Sequence, residues 1–360
     1  MAASRNHLRT LALLLAGALL ATTSPALQAP AAAAVGKRLA VPCRTPQCWP
    51  TAFTFTPDGN KIFYVERFTG SIRVYDLRRE RDRRWGRIAN VATSGEQGLL
   101  GIALDPRWPN RKRVFVYYTH SSPLQNRIVR LEKDGGELRI TQLLSIEASA
   151  IHNGGVIHFG PDGYLYAVAG DAANQTNAQD TQDPAGSVLR MRTDGKAPAG
   201  NPFGSSRVFS YGHRNSFGFA FDPEDDDIWQ SENGPECNDE VNEIEIGRNF
   251  GWGPMSVCPA TNTSGPNPVA PKHTYTTVIA PTGLAFCDRC RLGTETEGTL
   301  LLGSWNDAEI RRLRLNAGRN DITQDSILFT NPRGILAIEA SPKGPVFFSD
   351  DSGIYRLVQT

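Results

Sequence analysis

The chain lacks several features that would place it at once. It has only 3 methionines in 360 residues, and no apolar run reaches the ~20 residues of a membrane helix. Helical periodicity of useful length is missing after residue 34, which excludes a helical bundle. Charge of one sign is missing too: 38 Lys and Arg stand against 37 Asp and Glu. A balance this close to neutral argues against nucleic acid as a partner. What is present is turn chemistry, with 34 Gly and 24 Pro. At 40% hydrophobic and 21% charged, the composition is that of a globular protein with a packed core.

The first residues read as an address. Arg5 and Arg9 form a positive start, LALLLAGALLA (Leu11 to Ala21) is a short apolar stretch, and small residues follow with cleavage expected after Ala29 or Ala34. No cysteine stands at that junction, so a lipid anchor is not indicated, and a retained N-terminal anchor is the alternative. Removing Arg5 and Arg9 leaves 36 basic residues against 37 acidic ones, a net charge of −1. The expected product is exported, periplasmic or secreted, with no stable membrane anchor.

The six cysteines are Cys43, Cys48, Cys237, Cys258, Cys287 and Cys290. An even count in an exported chain reads as disulfides, and nearest-neighbour pairing is expected. Cys287 and Cys290 have redox and zinc spacing, but no second such pair accompanies them. A structural disulfide at a turn is the preferred reading.

One pattern recurs along the chain. A short apolar strand leads into a turn of Pro with Asp, Gly or Asn, and an alternating strand follows. The copies include TAFTFTPDGNKIFYVE, GGVIHFGPDGYLYAVAGD and GFAFDPEDDDIWQSE, and they begin near residues 51, 98, 155, 218, 283 and 337. Each is followed by a further amphipathic strand, such as SIRVYDL or GIYRLV. Strand-and-turn repeats of this length predict an all-β, six-bladed propeller with four-stranded antiparallel blades. An irregular β-sandwich explains the strands but not the repeat. The expected organisation is a signal peptide and processing region over 1–34, a lead-in over 35–49 and one catalytic propeller domain over 50–360.

Antiparallel pairing places residues equidistant from a hairpin turn side by side. Reflection about Asp162 and Gly163 pairs His152 with Asp171. The same operation pairs Arg214 with the segment Glu232 to Pro235, Glu96 with His120, and Thr51 with Glu66. It also brings Ser304 to Asn306 towards Pro281, and Arg333 towards Asp350. These ends share one face, around the central channel. The turns, with the solvated run Pro223 to Asp227, take the other. The loop NQTNAQDTQD (Asn174 to Asp183) lies on the His152 side, as a lid or as an insertion.

In HNGGVIHFGPDGYLYAVAGD, Gly154 and Gly155 leave room beside His152 for a ligand or another backbone. Asp171 can orient the imidazole and raise its basicity, as for a general base. The alternative is a turn-capping Asp171 with a structural histidine bond. Arg214 and Asn215 precede an inner strand, where an anion or polarised oxygen can be held. Asp239, Glu240 and Asn242 offer the hard oxygens calcium prefers. A polar loop with a buried Arg–Glu pair is the alternative there.

HNGG, FGPDGYLYAVAGD, SYGHRNSFGFAFDP, ENGP, NDEVNEI and GRNFGWG resemble the soluble glucose/sorbosone dehydrogenase family. With GEQGLLGIALDPRW, the resemblance runs through most of residues 50 to 355. It implies an exported six-bladed propeller that oxidises an aldose sugar at its anomeric hydroxyl, using pyrroloquinoline quinone (PQQ) and calcium. Partners would be the sugar and an electron acceptor, with a monomer or homodimer expected. By resemblance, His152 is the general base, Asp171 its orienting group, and Arg214 and Asn215 the holders of the quinone oxygens. The carbonyls of Gly234 and Pro235 ligate calcium, and Glu240 contributes to a second calcium. The remaining cofactor positions fall on Glu96 with Gln97 beside it, Asn306 and Arg333.

Three positions depart from the family pattern. Glu96 stands where a glutamine is usual, Asn306 replaces a lysine, and an Arg-x-Arg pair in the last blade is reduced to Arg333. Lost cations and an added carboxylate weaken the grip on a tricarboxylate. Two other readings follow: a propeller without PQQ that binds carbohydrate or a protein, and a calcium-dependent lactonase-type hydrolase.

Overall fold

The computed structural model describes residues 34–360. The signal-peptide segment therefore lies almost wholly outside the described residues. Six four-stranded antiparallel sheets form the blades of a propeller. Blade 1 holds Phe53–Phe55, Lys61–Val65, Ser71–Asp76 and Arg81–Arg87. The inner strands of the next four begin at Leu99, Ile157, Gly218 and Pro281. The sole helix among the described residues is a single 3-10 turn, Asn177–Gln179.

The strand alternation explains the ring. In blade 1, Phe63 and Val65 pack towards blade 2 with Ile102 and Val116. Ile62 and Tyr64, one residue out of step, pack towards blade 6 with Phe347 and Ile354. Both faces of each blade are thus buried, and successive side chains serve opposite neighbours. Six apolar clusters result, one at each blade interface.

The sixth blade closes the circle in a way the lead-in reading did not anticipate. Its inner strands are Ala337–Ala340, Val346–Asp350 and Gly353–Gln359. Its outer strand is Val35–Pro42, paired antiparallel with Gly353–Gln359 from Val35 opposite Gln359 to Pro42 opposite Gly353. The segment 35–42 therefore belongs to the propeller. The disulfides pair as nearest neighbours: Cys43 with Cys48, Cys237 with Cys258, and Cys287 with Cys290. Among the described residues no helix is long and apolar enough to cross a membrane.

Candidate active site

Hairpin pairing brings the ends of inner strands to one mouth of the channel. His152 Nδ1 lies 2.7 Å from Asp171 Oδ1. The carboxylate only accepts, so Nδ1 carries the proton and Nε2 is left as an acceptor. His152 has a left-handed backbone, φ 58°, and is 8% exposed. Its carbonyl accepts from Ala172 N at 3.1 Å, and its own N–H donates to Glu96 Oε2 at 2.6 Å. Ring and backbone are thus both fixed.

Gly154 lines a cavity, and neither glycine beside His152 has room for a side chain. A Cβ on Gly154 would meet Val168 O at 2.6 Å, and one on Gly155 would meet Leu100 Cβ at 2.5 Å. Close backbone approach is their purpose. The Glu96–His120 pairing also differs from expectation. Thr119 N bonds Gly98 O, and His120 bridges Val91, because the segment before the strand turns away. Glu96 instead reaches blades 3 and 4.

Asp171 is fully buried. Its Oδ1 also accepts from Ala173 N at 2.8 Å, and its Oδ2 accepts from Trp252 Nε1 at 2.7 Å. The loop 174–183 is a buttress rather than a lid. Asn177 Nδ2 donates to Asp171 O at 3.1 Å, and Gln179 Nε2 donates to Trp252 O at 2.6 Å.

Arg214 follows the reflection. Its backbone N–H donates to Glu232 Oε1, and a terminal nitrogen donates to Asn233 O at 3.0 Å. Its Nε is buried with no partner. Burial lowers the proton affinity of this guanidinium, with Asp171, Glu232 and Glu96 opposing. Asn215 is committed elsewhere: Nδ2 donates to Glu96 Oε2 at 3.1 Å, and Oδ1 accepts from Gly154 N at 3.2 Å.

These groups border a cavity of about 380 Å³ lined by Glu96, Gly154, Asn233, Arg67, Trp49 and Trp305, among others. His152 and Arg214 are each one hydrogen bond from a lining residue. Arg67 and Trp49 had no signal in sequence, because only folding brings blade 1 against Trp305 of blade 5. Trp49 and Trp305 have ring centroids 5.6 Å apart, and Arg67 lies over Trp49 at 5.5 Å. Deeper in, the channel narrows to about 20 Å³, with His158 and Glu339 among its walls. Their side chains approach to 3.4 Å, and burial pushes His158 down to about 4 and Glu339 up, so each favours its neutral form.

The other expected cofactor positions do not join this cavity. Gln97 is buried behind it, donating to Ser149 O and accepting from Ser94 N. Asn306 donates outward to Val278 O at 3.1 Å, and Arg333 pairs with Asp351 at 2.9 Å in solvent. Local turns and pairing partners claim these side chains first.

Gly234 and Pro235 lie in a turn where Gly234 N donates to Asp239 Oδ1 at 2.8 Å. A Cβ on Gly234 would meet Cys237 O at 2.0 Å, and the Cys237–Cys258 disulfide pins the turn. Glu240 is buried, accepting from Asn262 at 2.8 Å and Asn242 at 3.3 Å. Burial and the Glu232 charge push its carboxyl up to about 8. Among the described residues, the only convergent set of three metal-binding side chains is Cys287, Cys290 and Glu297. Its two sulfurs form a disulfide.

His213 went unnoticed in sequence. It bonds Glu232 at 2.8 Å and Ser210 Oγ at 2.9 Å. The order suggests a hydrolytic triad, but Ser210 has no exposed surface. The group braces Arg214 through Glu232.

Residues 48–359 match the profile of the Glucose / Sorbosone dehydrogenase family. The chain belongs to this family. Its relatives include an uncharacterised Synechocystis protein, 33% identical over 74% of this chain and 71% of that protein. The Escherichia coli aldose sugar dehydrogenase is 24% identical over 86% of this chain and 89% of that enzyme. Among solved structures, the PQQ-bound aldose sugar dehydrogenase of Streptomyces coelicolor is 28% identical. It superposes with a TM-score of 0.78, covering 91% of this chain and 98% of that one. The two chains thus share this ring of blades across the full propeller.

Proposed function

We propose that this chain is an exported dehydrogenase that oxidises the anomeric hydroxyl of an aldose to the lactone, with PQQ and calcium. The observation that carries the reading is the His152–Asp171 pair beside the cavity, with Arg214 next to Asp171 and its Nε buried without a partner. A buried donor without a partner is costly, and a ligand oxygen would satisfy it. The residues therefore fit the quinone end of the cofactor. When bound, PQQ supplies the hydride acceptor and calcium the Lewis acid that polarises it.

The chain's own residues do the rest. His152 Nε2 takes the proton from the sugar hydroxyl, while Asp171 holds the tautomer and stabilises the imidazolium. Arg214 places positive charge where negative charge develops. Gly234 and Pro235 would offer neutral carbonyl ligands to calcium, and Glu240 a carboxylate to a second ion. Three disulfides suit an oxidising compartment, periplasmic or extracellular.

Reconstitution with PQQ and calcium, followed by dye reduction on a panel of aldoses, tests the reading. No binding at micromolar PQQ would overturn it. That result would favour a cofactor-free binding propeller, the reading supported by Asn306 and Arg333 turning away from the cavity.

A further inference from the structure

We propose that Trp252 is a positioning residue for the active site: its indole N–H fixes the Asp171 carboxylate, and its ring face carries Arg214. The kinetic part of this inference rests on the proposed function, and the spectroscopic part does not.

Asp171 Oδ1 has two donors, His152 Nδ1 and Ala173 N, whereas Oδ2 receives Trp252 Nε1 at 2.7 Å. That single bond stops the carboxylate from rotating about the axis it shares with the imidazole. The Arg214 guanidinium lies 5.3 Å from the Trp252 ring centre, within cation–π range. One side chain therefore touches both the group that orients the base and the cation beside it.

Trp252 is itself held firmly. It is 3% exposed, its backbone N–H donates to Gly212 O at 2.9 Å, and Gln179 clasps its carbonyl at 2.6 Å. Gln179 also donates to Asn249 Oδ1 at 3.0 Å, which in turn accepts from Gly251 N at 2.9 Å. Trp252 is buried against Asp171 and Arg214, so it acts through them. The other charges near this group are Glu96 at the His152 backbone, Glu232 at the Arg214 backbone, Glu147 through Asn177, and Asp239, which acts on Arg214 without a hydrogen bond. None of them reaches Asp171 Oδ2.

The test uses the mature protein with 15N-labelled tryptophan and histidine. In the wild type, the Trp252 indole resonance, identified by its loss in Trp252→Phe, should lie downfield and move upfield in Asp171→Asn. In Trp252→Phe, the His152 ring nitrogens should change from one tautomer, protonated at Nδ1, to a mixture. Reconstituted Trp252→Phe should lose about 10- to 100-fold in kcat with KM within about twofold. Phe keeps the ring face, so PQQ affinity should survive in Trp252→Phe and fall in Trp252→Leu. An unchanged His152 tautomer in folded Trp252→Phe would overturn the proposal. So would a full set of indole resonances that ignores Asp171→Asn, a comparison of wild type with that variant that needs no tryptophan variant. Absence of dye reduction by the wild type would count against the dehydrogenase reading alone, leaving the resonance measurements to decide the role of Trp252.

Discussion

Glu96 of blade 2 accepts from the His152 backbone at 2.6 Å and from Asn215 at 3.1 Å through the same oxygen, Oε2. A single carboxylate thus joins His152 of blade 3 to Asn215 of blade 4, while adding negative charge to the cavity wall. The two effects separate in Glu96→Gln. The amide keeps one acceptor oxygen and removes the charge. We expect PQQ affinity to rise by about 3- to 10-fold at low salt, and the gain to shrink as salt screens it. Glu96→Ala should instead loosen His152 and lower kcat. Absorbance titrations at two ionic strengths, paired with turnover, distinguish the cases.

His152→Ala should lower kcat by roughly 10²- to 10⁴-fold while leaving PQQ binding nearly intact, since the imidazole acts on the substrate proton. Asp171→Asn should do similar damage, because an amide in place of the carboxylate can donate to Nδ1 and reverse the tautomer. Steady-state rates with cofactor titrations on the same preparations check both. A His152→Ala enzyme with ordinary kcat would remove the histidine from the chemistry.

The fold was legible because strand alternation and turn residues repeat locally, and the His152–Asp171 contact followed from one hairpin. Three things were not legible. Val35–Pro42 pairs with a strand more than three hundred residues away, and no local pattern announces such a closure. Trp252 meets Asp171 across 81 residues and a loop of irregular backbone. The wall of Trp49, Arg67 and Trp305 forms only when the ring closes. The partners of three other side chains were equally hidden. Gln97, Asn306 and Arg333 sit near the right strand ends, but nearby carbonyls and carboxylates capture their side chains.

Ring closure makes its own prediction. Deleting residues 35–42 leaves Gly353–Gln359 as an open edge and strips Val41 from its cluster with Phe347 and Ile354. Unpaired edges template aggregation. The truncated protein should melt on the order of 10 °C lower and scatter light on heating. Thermal melts by circular dichroism with parallel light scattering check this. An unchanged melting temperature would show that the three remaining strands hold blade 6 unaided.

Glu240 ties stability to pH and to calcium. Its carboxyl is pushed from 4.5 up to about 8, first by burial and then by Glu232. The fold therefore favours the protonated form. The resulting stability is complete below about 4.5 and is lost as pH rises through about 8. Asp239 is raised by burial as well and adds to the same trend. In chelator, the melting temperature should fall across that window, and Glu240→Gln, which stays neutral, should flatten the slope. Calcium should reverse the loss at the alkaline end if Glu240 is a ligand, because the ion stabilises the ionised carboxylate that burial disfavours. Each kcal/mol recovered corresponds to a rise of about 1.5 °C in a chain of this size. Calcium that leaves the alkaline melting temperature unmoved would take Glu240 out of the metal site, and a slope unaltered in Glu240→Gln would assign the pH dependence to the other raised carboxyls, Asp239 and Glu339 among them.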